Sequence, residues 1–132
     1  MLAQKPTHFF LCAGAAEGMT PLNAFDNALM KAGVGNLNLI RLSSILPPKV
    51  KLSGPRQFEA GSYLPIAYGS EGSETPGECV AASVAAAIPA DATLNGVIME
   101  FSGACRAAEA EATVREMAAE AMRVRGYEVK EI

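Results

Sequence analysis

Two adjacent serines, Ser43 and Ser44, stand in the stretch NLIRLSSILPPKV (residues 38–50), inside an apolar segment that otherwise reads as an ordinary strand and stops at Pro47-Pro48. Serine is a poor strand former, and a buried hydroxyl needs a hydrogen-bond partner. The plainest reading makes them turn residues at a strand end. The other reading is chemical. A serine hydroxyl can attack the carbonyl of the residue before it when the backbone is strained and a donor polarises that carbonyl. The peptide then becomes an ester, elimination severs the chain, and the dehydroalanine left behind hydrolyses with loss of ammonia to a pyruvoyl group. Here Ser44 would attack the carbonyl of Ser43, giving fragments 1–43 and 44–132. A pyruvoyl ketone is a built-in electron sink for amino-acid decarboxylation, so no external cofactor is required.

Such a site needs a proton donor. Glu100, between Met99 and Phe101, is a carboxylate in an apolar run, and a desolvated carboxyl is suited to hold and give a proton. A solvated strand face accounts for a lone glutamate equally well. His8 is the single histidine, which removes mechanisms that need a histidine pair or a His-rich metal site, and leaves a Ser-His-Asp triad as a remote reading.

The elements that must position these residues follow from periodicity. His8–Ala13 reads as a short buried strand. Thr20-Pro21 is a helix start, with Thr as N-cap and Pro where its missing N–H costs nothing. Leu22, Phe25, Leu29 and Met30 recur at helical spacing up to Gly33, so a helix is expected over 21–32, with Asp26 next to its apolar face. Leu37–Leu46 reads as one strand, ended by the two prolines. Ser62–Tyr68 is strand-like, and Gly69–Glu78 is a turn-rich surface loop. Cys79–Ile88 is ambiguous between an alanine helix and a buried strand, with strand favoured by its length and by the flanking Gly77 and Pro89. Asn95-Gly96 marks a turn before a strand at Val97–Phe101, whose alternation puts Glu100 on one face with Ile98 and Ser102. Arg106–Arg125 is the clearest helix, stopped by Gly126, and Tyr127–Ile132 completes a last strand. This order predicts an α+β layered fold.

With 132 residues, half of them hydrophobic and 19% charged, the chain is expected to form a single folded domain. The net charge of −3 and the scattered basic residues make nucleic acid a poor partner. No segment has the length of a membrane span or a secretory signal, so a cytoplasmic protein is expected. Cys12, Cys79 and Cys105 are widely spaced without CxxC pairing, which argues against a disulfide framework and a structural zinc site and fits a reducing compartment.

The segments GAAEGMTPLNAFDNALMKAGVGNLNLIRLSSILPP, YLPIAYG, PGECVAASVAAAIP, GVIMEFSG and TVREMAAEAMRVRGYEV, in that order from Phe9 to Val129, resemble the pyruvoyl-dependent arginine decarboxylases. The resemblance implies cleavage of a zymogen between Ser43 and Ser44, with Ser44 becoming the covalent pyruvoyl cofactor, no metal, and conversion of L-arginine to agmatine and carbon dioxide. By position it makes Asn38 the residue that assists processing and lines the site, Glu100 the proton donor, and Asp26 of LNAFD the acceptor of the substrate guanidinium. It also implies an αββα four-layer sandwich of mainly antiparallel sheets covered by helices, with a strand at Cys79–Ile88, and a homotrimer of cleaved protomers with sites between neighbours. Longer family members continue past the segment matching Tyr127–Ile132. Two alternatives stay open: decarboxylation of another amino acid such as lysine or ornithine, and a non-cleaving, non-catalytic homologue. A dinucleotide site at Gly33-Val34-Gly35 is weaker, because a third glycine and a following helix are missing.

Overall fold

The computed structural model describes residues 4–132. In chain order the elements are β1 (His8–Phe9), α1 (Pro21–Ala32), β2 (Asn38–Arg41), β3 (Ile45–Leu46), β4 (Lys51–Leu52), β5 (Tyr63–Ile66), β6 (Ala81–Pro89), β7 (Gly96–Gly103), α2 (Ala107–Arg125) and β8 (Val129–Glu131). The α+β class is as expected. The strands form one four-stranded antiparallel sheet, ordered β3-β7-β6-β8, and two parallel pairs, β1-β4 and β2-β5.

The core lies between α2 and the four-stranded sheet. Ala110, Val114, Ala118, Ala121 and Met122 are the buried residues of α2, and all but Ala110 pack in one cluster with Ala85, Ala87 and Val97, with Met99, Phe101, Tyr127 and Ile132 packed around them. Small residues on both surfaces let the helix sit close to the strands, which explains why an alanine-rich stretch settles as β6 rather than as a helix. Ser83 fastens the contact: its hydroxyl donates to the carbonyl of Ala110 at 2.8 Å. Because Val97, Met99 and Phe101 point to this core, alternation sends Ile98, Glu100 and Ser102 to the other face of β7. That face holds the site.

Helix α1 begins as its sequence dictates, with the Thr20 hydroxyl accepting from the Asn23 N–H at 3.1 Å, and ends at Gly33 with φ of 87°. It buries no residue fully. Gly14 and Gly18 let the preceding segment lie directly on it, since a Cβ at either would run into the backbone of Ala28, Ala32, Asn23 or Ala24. Phe25 packs on Tyr68, just past β5, with ring centroids 5.9 Å apart. Against the expected sandwich of mainly antiparallel sheets, only the β3-β7-β6-β8 sheet is antiparallel among the described residues, while β1–β4 and β2–β5 are two-stranded parallel pairs.

Most strands differ from the expected boundaries by one or two residues at an end, and three departures are of another kind or touch a helix cap. The expected strand Leu37–Leu46 is two strands in different sheets: β2 pairs in parallel with β5, and β3 pairs antiparallel with β7. The expected strand His8–Ala13 shortens to two residues, exposed to half-buried, which pair with β4, where no strand was expected. Helix α2 starts one residue late, with Arg106 as its N-cap and no side-chain cap bond.

Candidate active site

Leu42, Ser43 and Ser44 carry the chain from one sheet to the other. The Leu42 N–H still donates to Ile66 of β5 at 2.8 Å, while the Ser44 carbonyl already accepts from the Ile98 N–H of β7 at 2.9 Å. Turning within three residues puts Ser44 at φ 93°, one of two non-glycine residues with positive φ among the described residues. Such a conformation costs on the order of 1–3 kcal/mol for an L-residue and persists only where neighbours over-determine it. Two residues on, Leu46 is buried opposite Gly96, where a Cβ would strike the Ala87 carbonyl and the Leu46 side chain. This close fit fixes the register of β3 on β7, and so what Ser44 meets.

It meets Glu100. The Ser44 hydroxyl donates to Glu100 Oε1 at 3.2 Å, with Oε2 at 3.5 Å, in a half-buried setting. Glu100 also borders an open cleft of about 440 Å³ whose walls include Phe25, Arg41, Tyr68, Ser70 and Ser102. That volume is in the range of small-molecule sites, about 300–1,000 Å³. Gly69 shapes its floor, because a side chain there would press on the carbonyls of Ser83 and Phe101 and on Glu100.

Of the sequence-predicted residues, Ser43, Ser44 and Glu100 come together. Asn38 does not reach them: at the start of β2 its amide donates to the Gly61 carbonyl at 2.8 Å, tying β2 to the chain entering β5. Asp26 is exposed on α1, while its neighbour Phe25 lines the cleft. His8 bonds Thr7 at 2.9 Å in β1, so the Ser44 hydroxyl has a carboxylate and no imidazole as its partner. The fold also brings Cys79 Sγ to 3.3 Å from the Cys105 carbonyl, although all three cysteines are free thiols. No cluster of metal-ligating side chains forms among the described residues.

Arg41 is the residue that sequence reasoning passed over. Its guanidinium donates to the Tyr68 carbonyl at 3.1 Å and lies over the Tyr68 ring, 4.6 Å from the centroid. A single charge between Ile40 and Leu42 was the available signal.

A serine in a left-handed turn between sheets, its hydroxyl on a carboxylate beside a cleft, is an arrangement that fits a chain-derived group. The family model of pyruvoyl-dependent arginine decarboxylase matches residues 8–132. The chain belongs to this family. Proteins named pyruvoyl-dependent arginine decarboxylase resemble it closely: that of Methanocaldococcus jannaschii is 49% identical over 96% of this chain and 77% of its own length. The Methanococcus vannielii relative is 48% identical over 98% of this chain and 79% of its own, and that of Pyrococcus furiosus 41% over 96% and 81%.

Proposed function

We propose that this chain decarboxylates L-arginine to agmatine and carbon dioxide, using a pyruvoyl group made from its own Ser44. The observation that carries the reading is the pairing of the left-handed φ of Ser44 with the contact between its hydroxyl and the Glu100 carboxylate. Glu100 accepts the hydrogen bond of the hydroxyl and orients it toward the preceding carbonyl; Oγ attacks the carbon of Ser43, the C–N bond between Ser43 and Ser44 breaks with the hydroxyl proton passing to the nitrogen, and an ester results. Loss of the Ser44 Cα proton then breaks the Cβ–O ester bond, freeing Ser43 as a carboxylate. Water replaces the nitrogen at residue 44 and ammonia leaves. Relief of the positive φ on cleavage favours the forward direction.

In the mature enzyme the pyruvoyl group supplies an electron sink for the bond between Cα and the carboxylate. The chain's own residues do the rest. Glu100, on the face of β7 opposite the core, supplies the proton that Cα needs after carbon dioxide departs. Phe25 and Tyr68 give the cleft one aromatic wall. Asp26, exposed in one protomer, is our choice for the guanidinium partner, reached from a neighbouring copy when protomers associate. The exposed apolar side chains Met19 (94% exposed), Leu22 (75%) and Tyr63 (76%), on and around α1 and β5, support a homo-oligomer, which we take as a trimer. Asn38 is assigned to processing, by holding β2 in place ahead of the junction. Three free thiols suit a reducing cytoplasm.

A substrate panel tests the activity. Agmatine and carbon dioxide should form from arginine well ahead of lysine, ornithine or neutral amino acids. Turnover of a neutral or acidic amino acid, with none of arginine, would overturn the reading.

A further inference from the structure

Arginine brings three charged groups to a decarboxylase: the reacting amine, the guanidinium and the α-carboxylate. Ser44, Glu100 and Asp26 offer nothing to the carboxylate before it leaves. We propose that Arg41 is the carboxylate subsite, a reading that rests on arginine decarboxylation as proposed above.

Among the described residues Arg41 is the one cation in the wall of the cleft, and Glu100 the one anion. Its guanidinium is already fixed by the Tyr68 carbonyl at 3.1 Å and by the Tyr68 ring at 4.6 Å, so little side-chain freedom is lost on binding. A guanidinium has five N–H donors in a planar fork suited to a carboxylate. One is spent on Tyr68, and the ion pair found among the described residues, Arg115 with Glu111, lies elsewhere on α2. Arg41 therefore keeps donors for a ligand. It ends β2 three positions before Ser44, and the Leu42 bond to Ile66 sets its direction from the sheet.

The chemistry gives this contact a distinctive signature. The carboxylate becomes neutral carbon dioxide, so its pairing with Arg41 is strongest in the ground state and fades as the bond breaks. Binding of that kind lowers KM without raising kcat. Arg41 is accordingly a binding residue: it admits arginine and orients it, and supplies no rate.

The test compares the mature wild type with Arg41→Gln and Arg41→Lys. Steady-state kinetics with arginine should show KM raised about 10- to 100-fold in R41Q, the loss of a charge-assisted pair, with kcat unchanged or higher. Calorimetric titration with agmatine, which has the guanidinium and no carboxylate, should give the same Kd in both within about twofold. R41K keeps the charge and loses the fork and the stacking, so its KM should fall between the two; where R41Q fails to fold, R41K shows the same split at smaller size. An unchanged KM for arginine overturns the proposal. So does agmatine affinity falling in step with arginine affinity, or a loss confined to kcat; either marks Arg41 as merely holding β2 to the Tyr68 segment. Failure of the underlying reading looks different, since wild-type enzyme would then release no carbon dioxide from arginine, and the proposal falls with it.

Discussion

The half built from α2 and the four-stranded sheet has a core of its own; the half built from α1 and the β2–β5 pair does not. Met122, Val114 and Ala118 are 0–1% exposed, whereas Leu22 and Tyr63 are about three-quarters exposed and α1 buries nothing fully. The first half holds itself together by apolar burial. The second is held by glycine-permitted backbone contact, parallel strand pairing and the Phe25–Tyr68 packing. Ser44 lies on the seam, in the few residues that leave one half and enter the other. A rigid sheet presents Glu100, and a thinly packed unit delivers the serine to it and the cleft beside it. Strain placed at such a junction can be relieved by cutting the chain without dismantling the core.

Each substitution tests a different side of this contrast. Ser44→Ala removes the nucleophile at the seam, so self-cleavage and decarboxylation should vanish together while the α2 core keeps its melting temperature; cleavage at the same bond in that variant would show that Ser44 is not the nucleophile. Glu100→Gln keeps an acceptor for the Ser44 hydroxyl and loses the transferable proton. Turnover should drop by about 10²–10⁴ and cleavage by much less, read by single-turnover kinetics against fragment yield. Wild-type turnover would remove Glu100 from proton transfer.

The next two concern packing and exposure alone. Met122→Ala should cost about 2–5 kcal/mol in denaturant unfolding, as a fully buried side chain in close packing. Leu22→Ala on exposed α1 should stay within about 0.5 kcal/mol for the isolated protomer. Equal costs would show that the two halves share one core. A larger loss for Leu22→Ala at concentrations where protomers associate would locate the interface on α1. The smallest effect concerns thiols. Burial pushes the Cys12 thiol above its ordinary value, leaving less thiolate at mildly alkaline pH, while Cys79 is exposed. Iodoacetamide should label Cys79 several-fold faster than Cys12, with the gap narrowing as pH rises through the Cys12 pKa.

The first half was the more legible in the sequence. Alternation in Val97–Phe101 and the helical spacing of Ala110, Val114 and Ala121 record burial against a partner and identified β7, α2 and the face of Glu100, although the same spacing runs on to Val124, which is 81% exposed. In the second half the caps and spacing of α1 were legible, and the strand pairing was not. Residues 37–46 look continuous because Leu42 keeps the apolar pattern, and nothing local announces that β2 pairs with β5 while β3 pairs with β7. The β1–β4 pair joins His8 to Lys51 and Phe9 to Leu52, a long-range match with no local signal. The serine pair stood out by residue type, but the positive φ that strains it comes from the change of sheet. Arg41 was hidden because its cleft is assembled from four separate parts of the chain.

Intact-protein mass spectrometry under denaturing conditions tests the central claim most directly. Purified wild-type protein should give two chains divided between Ser43 and Ser44, the larger beginning with a pyruvoyl group and therefore closed to Edman degradation. A single chain with the mass of all 132 residues, in a preparation that releases carbon dioxide from arginine, would contradict it.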